Sequence, residues 1–141
     1  MKIRRATAVD SPACARIVDD WFTATDWMPR GPGLARLEQI MREGFPVREA
    51  WVAMEGEATA GYLSMKVEEH HIFGLYTATP GHGVGRALLD HVKKGRDRLQ
   101  LRSHAPNHAA HRFYKREGFY TVAHNLTGHD GVPEILMEWR R

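Results

Sequence analysis

A chain of 141 residues, 43% apolar and 26% charged, is long enough to pack a core without disulfides or metal, and its composition excludes a disordered chain. The formal charge is +3, but acids interrupt the Lys and Arg residues almost everywhere, unlike the concentrated stripe usual in a nucleic-acid binder, which makes a basic nucleic-acid-binding domain the weakest of three readings. A single cysteine, Cys14, excludes an intrachain disulfide; the start MKIRRATAVD lacks a signal peptide's apolar stretch, and no apolar run approaches the roughly 18 residues of a membrane span, so a cytoplasmic location is expected.

Ile3–Thr7 reads as a short first strand. Asp10-Ser11-Pro12 then joins an N-cap candidate to a proline that fixes φ in a first helical turn. Cys14, Ile17, Val18, Trp21 and Phe22 follow at the spacing of one apolar stripe. Thr25–Gly33 is a turn-rich loop. A second helix runs from Leu34 to about Arg42, with Leu34, Leu37, Ile40 and Met41 on one face, and Gly44 and Pro46 end it. Glu49–Met54 and Thr59–Lys66 flank Glu55-Gly56-Glu57, a hairpin signal, and His70–Thr77 is a third run of β-formers. The segment PGHGVGRALLDHVKK turns on its glycines into a helix with Val84, Ala87, Leu88 and Val92 inward. Arg98–Ser103 is a strand and Asn107–Glu117 a helix closed by Gly118. Phe119–Asn125 and Glu134–Trp139 are two final strands. The order β-α-α-β-β-β-α-β-α-β-β predicts one mixed α/β (α+β) domain over residues 1–141.

Two segments carry chemistry. In Pro80-Gly81-His82-Gly83-Val84-Gly85-Arg86, glycines let a ligand approach the backbone, and the free amides of a helix's first turn favour a phosphate. A tight turn that binds nothing explains the same spacing equally well. The second segment is N-x-x-A-x-x-F-Y-x-x-x-G-F, from Asn107 to Phe119. Asn107 and Tyr114 are about two helical turns apart and face the same way, with the small Ala110 between them. A structural helix accounts for Phe113 in the core, for Gly118 and for Phe119, but not for an aligned amide and phenol.

On these two segments the chain resembles the GNAT superfamily of acetyl-CoA-dependent N-acetyltransferases. The likeness spans nearly the whole chain and is sharpest from Leu75 to Phe119. It implies a V-shaped sheet of about seven strands with four helices, split between the fourth and fifth strands. Acetyl-CoA would lie in the split, its pantetheine arm running beside His70–Thr77 like an added strand and bound by Leu75, Tyr76 and Thr77. Its pyrophosphate would meet His82, Gly83, Val84, Gly85 and Arg86. Asn107 and Ala110 would accommodate the arm, and Tyr114 would protonate the departing thiolate. The polarising N–H is expected where the strand bulges, near Leu75 or Tyr76, and Trp27 and Met28 would wall the acceptor pocket. The implied reaction is direct transfer, in a ternary complex, to a primary amine on a small molecule or peptide, with no nucleic-acid or membrane partner. The C-terminal strand could pair across a homodimer.

Pro80 stands where relatives carry Gln or Arg and removes one N–H donor. Phe73 and Gly74 replace residues often polar in relatives. These departures keep open a second reading, a non-catalytic CoA-binding module. For the general base the candidates are Glu68, Glu69, His70, His71, Asp130 and Glu134, and Glu69 is the one selected. His104, His108 and His111 suggest a metal, but no cysteine or nearby carboxylate completes a set, and no metal is expected. Lys93, Lys94, Arg96 and Arg98 suit a helix C-terminus.

Overall fold

The computed structural model describes residues 1–141. Its elements are β1 (Lys2–Arg5), α1 (Ser11–Ala24), α2 (Leu34–Gly44), β2 (Glu49–Glu55), β3 (Ala58–Lys66), β4 (His71–Thr77), α3 (Val84–Lys93), β5 (Arg98–His104), α4 (His108–Arg116), β6 (Tyr120–Leu126) and β7 (Glu134–Arg140), in the order the sequence predicts. They form one seven-stranded sheet, β1-β2-β3-β4-β5-β7-β6. No helix is long and apolar enough to cross a membrane.

Strand periodicity sorts the core onto two faces. Ala53, Leu63 and Met65 pack with Leu88 and Leu89 of α3, while Val52 and Tyr62 pack with Val18 of α1 and Met41 of α2. Asp10 occupies the N-cap position of α1 but does not cap it. Its carboxylate instead accepts from the Thr7 N–H at 2.8 Å and from both ends of the Arg4 fork at 2.8 and 2.9 Å. The basic cluster acts at helix ends: Lys93 Nζ donates to the Glu117 carbonyl at the end of α4, and Arg96 Nη1 to the Val92 carbonyl of α3, each at 2.6 Å.

The site is positioned by an interruption in the middle of the sheet. β4 and β5 run parallel but pair only at His71–Gln100 and Ile72–Leu101, then separate. On its other side β4 pairs with β3, where Ser64 opposes Gly74 and Met65 opposes Ile72, so Phe73 is bulged out. The bulge thus lies at Phe73, before the expected Leu75 or Tyr76. It changes the phase of the strand. Ile72 enters the α3 core, whereas Tyr76, which strict alternation would put on the same face, packs towards α1 and α2. One further expectation is corrected: β7 lies between β5 and β6 with both edges paired, so it offers no edge to a second copy.

Candidate active site

Beyond Ile72 the separating strands open a cavity of about 640 Å³. Its wall includes Leu75, Tyr76 and Thr77 of β4, then His82, Gly83, Val84, Gly85 and Arg86, then Asn107, Ala110 and Tyr114. The expected cofactor-side residues therefore surround one space.

At one end the chain turns into α3 through Gly81 and Gly83, at φ +84° and +75°. These left-handed conformations favour glycine, which has no Cβ to strain. The first helical hydrogen bond is Ala87 N–H to the Gly83 carbonyl, at 3.1 Å, and the N–H groups of His82, Gly83, Val84, Gly85 and Arg86 find no protein acceptor. A Cβ on Gly83 would meet nothing within 4 Å, whereas one on Gly85 would lie 3.0 Å from the Phe113 ring. Gly83 thus leaves the space before the amides open, and Gly85 lets α4 approach α3. Arg86 is 72% exposed and only loosely paired, 3.8 Å from Asp90 and 3.9 Å from Glu117. Five unpartnered donors beside open space fit a pyrophosphate, even with Pro80 contributing none.

α4 forms the opposite wall, with two corrections. Asn107 has a structural reason to be there: it caps α4, its Oδ1 accepting the Ala110 N–H at 3.2 Å, while its amide NH₂ stays free. Phe113 is only partly buried and lines the cavity, while Tyr114 is the buried core residue, 9% exposed, against Phe113 and Phe119. The Tyr114 hydroxyl makes no protein hydrogen bond. Burial, with a contribution from the Tyr76 phenol, raises its pKa well above the usual range, so it stays protonated at neutral pH.

The α1 side of the cavity holds residues the sequence did not group together. Trp21, read as part of the core stripe, reaches the wall near the end of α1. Its ring lies 5.6 Å from Tyr76, 5.8 Å from Trp27 and 6.0 Å from His104, and Trp27 lies 5.5 Å from His104. Trp27 therefore flanks the wall, while Met28 is half-buried beyond it. His104 Nε2 hydrogen-bonds Asp130 Oδ2 at 2.8 Å, and Asp130 Oδ1 accepts the Val132 N–H at 3.0 Å. Partial burial opposes ionisation of Asp130, but these two hydrogen bonds outweigh it and hold its carboxyl below the usual range. Burial pushes the Tyr76 phenol up to about 12, and the Asp130 charge adds to the effect.

Glu134 comes within 3.9 Å of His104 but pairs with Arg102 at 2.7 Å. The expectation that no carboxylate approaches these histidines is corrected, since His104, Asp130 and Glu134 place their polar atoms within 4.8 Å of one another. Their oxygens are engaged by Val132, His104 and Arg102, an ion-paired network rather than an open ligand set. Glu69 stands apart, exposed on a single 3-10 turn, paired with Lys66 at 3.1 Å and outside the cavity wall. Cys14 lies buried against α2 with its thiol pushed up to about 12 by burial.

Comparison with known proteins agrees with this geometry. Residues 34–141 match the family described as the acetyltransferase (GNAT) domain. The chain is 26% identical to the peptidyl-lysine N-acetyltransferase YiaC of Escherichia coli (strain K12), over 97% of this chain and 95% of that protein. Its fold is similar to the solution structure of apo-form YjaB from Escherichia coli, with a TM-score of 0.79 at 23% identity over 98% of this chain and 96% of that one. It is also similar to yncA from Salmonella typhimurium, solved with its cofactor acetyl-CoA, with a TM-score of 0.70 at 21% identity over 99% and 92% of the two chains.

Proposed function

Since the chain belongs to the GNAT family of acetyltransferases, we propose that it takes its acetyl group from acetyl-CoA and passes it directly, in a ternary complex, to the side-chain amine of a peptide lysine. The observation that carries this reading is the cavity itself, which has unpartnered amides at one end, the Tyr114 hydroxyl in its wall and an aromatic side leading away. Acetyl-CoA, when bound, supplies an acyl group activated as a thioester. The amides of His82 to Arg86 hold pyrophosphate charge, and the unpaired edge of β4 suits an extended amide-bearing arm. The free NH₂ of Asn107 adds a donor to that arm. Tyr114, kept protonated, holds the proton that the leaving sulfur requires.

The lysine acceptor is supported by the likeness to YiaC, a peptidyl-lysine N-acetyltransferase, and by the Trp21 and Trp27 rings, since aromatic faces attract an alkylammonium. The test is thiol release from acetyl-CoA with a lysine peptide blocked at its N-terminus, run beside free lysine, a polyamine and an aminoglycoside. The expected result is Nε-acetylation of the peptide at the highest kcat/KM. Preference for a small amine would overturn the acceptor. Tight acetyl-CoA binding with no thiol release for any amine would overturn transfer in favour of the CoA-binding module.

A further inference from the structure

We propose that His104 is the catalytic base, accepting the acceptor amine's proton on Nδ1, and that Asp130 is its positioning residue; this rests on the acetyl-transfer reading above. His104 ends β5, on the strand face opposite buried Leu99, Leu101 and Ser103, where β5 has separated from β4. It lines the cavity beside Trp21, and its Nδ1 makes no hydrogen bond to protein. An ionised carboxylate can only accept, so the bond to Asp130 places the imidazole's proton on Nε2 and leaves the lone pair on Nδ1. The Val132 N–H fixes Asp130 in turn. This base-and-orienter arrangement recurs wherever an imidazole must take a proton and carry a transient positive charge.

The other charged or titratable groups around His104 are Glu134, paired with Arg102, His129 beside Asp130, Tyr76 from β4, and His111, whose Nε2 donates to the His104 carbonyl at 3.0 Å. In the step itself, the amine nitrogen forms a C–N bond to the acetyl carbon and the C–S bond breaks with its electron pair going to sulfur. The lysine ammonium first gives one proton to Nδ1, which frees the nitrogen's lone pair for attack. The sulfur takes the Tyr114 proton, and the Tyr114 oxygen takes up the N–H proton shed as the amide forms. Trp21 and Trp27 flank the route by which the amine reaches Nδ1.

The experiment uses the full chain, CoA for binding, and acetyl-CoA with the blocked lysine peptide for transfer. In His104→Gln, kcat/KM should fall by about 10²–10³-fold at pH 7, with the Kd for CoA within about twofold of wild type. The deficit should narrow as the pH nears the lysine's own value of about 10.4, where the amine arrives already neutral. His104→Asn should behave alike, and melting curves check the fold of both. In ¹⁵N-histidine spectra, wild-type His104 should carry its proton on Nε2, and Asp130→Asn should mix the two tautomers and lower kcat/KM by roughly tenfold. Wild-type kcat/KM at all pH values in folded His104 variants, or a loss in Glu69→Gln alone, would overturn the assignment, as would an Nδ1-protonated His104. A wild-type protein that acetylates no amine overturns the transfer reading and this assignment together.

Discussion

Replacing Gly83 by glutamate separates what the glycine turn does for the fold from what it does for a ligand. Gly83 sits at φ +75°, and a Cβ there would have nothing within 4 Å, so any side chain meets conformational strain but no clash. The strain of an L-residue in that region is about 1–2 kcal/mol. In a chain of this size that corresponds to a fall in Tm of roughly 3–6 °C. Gly83→Ala should show this fall and bind CoA nearly as wild type. Gly83→Glu should show the same fall but also place a carboxylate before the unpartnered amides. At about 5 Å from a phosphate charge and an effective dielectric constant of about 20–80, the repulsion is about 1–3 kcal/mol. The Kd for CoA should therefore rise by roughly 5- to 150-fold over that of Gly83→Ala, and less at high salt. Calorimetry with CoA and thermal melts read the two effects separately. Equal Kd values for the two folded variants would refute the phosphate site at this turn.

Tyr114→Phe keeps the ring contacts at 5.2 Å to Phe113 and 5.5 Å to Phe119 and removes only the hydroxyl. CoA affinity should hold while the single-turnover rate falls by about 10²–10⁴-fold, and an unchanged rate would leave Tyr114 a packing residue. Asp10 is held below its ordinary value of 3.8 chiefly by its hydrogen bonds from Arg4. A depressed carboxyl lends stability that is complete above the unfolded value and is lost as pH falls through the lower folded one. Asp10→Asn should thus lower stability by about 1–3 kcal/mol at pH 7 in urea titrations, and the gap should close in acid below pH 3.8. Cys14, buried with its thiol pushed up to about 12, should resist a thiol reagent at pH 8 in the native protein and react fully in denaturant.

The order of elements was legible because local signals agree: apolar residues recur at helical spacing in α1, α2 and α3, and Gly56 and Gly118 turn the chain at φ +63° and +94° where punctuation was expected. That Leu75–Thr77, His82–Arg86 and Asn107–Tyr114 would line one cavity was legible for the same reason, since these residues come from two contiguous segments. The side of the cavity around Trp21 and His104 was not. His104 and Asp130 are 26 residues apart, and the pairing of β5 with β7, which sets His104 opposite Glu134, brings their neighbourhoods together. No local spacing encodes that pairing. Trp21 shares the stripe of Ile17 and Val18, so its periodicity reads as core, yet the last turn of α1 carries it to the cavity. In α4, an apolar pattern cannot distinguish Phe113 from Tyr114, and packing buries the phenol more fully. At Phe73, one inserted residue changes the strand's phase without altering its composition.

The unpaired stretch of β4 has a consequence for the lifetime of the protein. Most sheets end only at their rims, but this one has an extra edge inside, where the β4 backbone groups facing β5 beyond Ile72 lack a partner while the opposite edge stays paired with β3. A ligand that pairs with that edge exists in bound form only while the chain is folded. It therefore adds to the unfolding free energy about 2.7 kcal/mol at a hundred times its Kd, or roughly 8 °C in Tm for a chain of this length. Amide exchange along Leu75–Thr77 should slow in step with occupancy. Resistance to proteolysis is thereby tied to how much of the ligand surrounds the molecule.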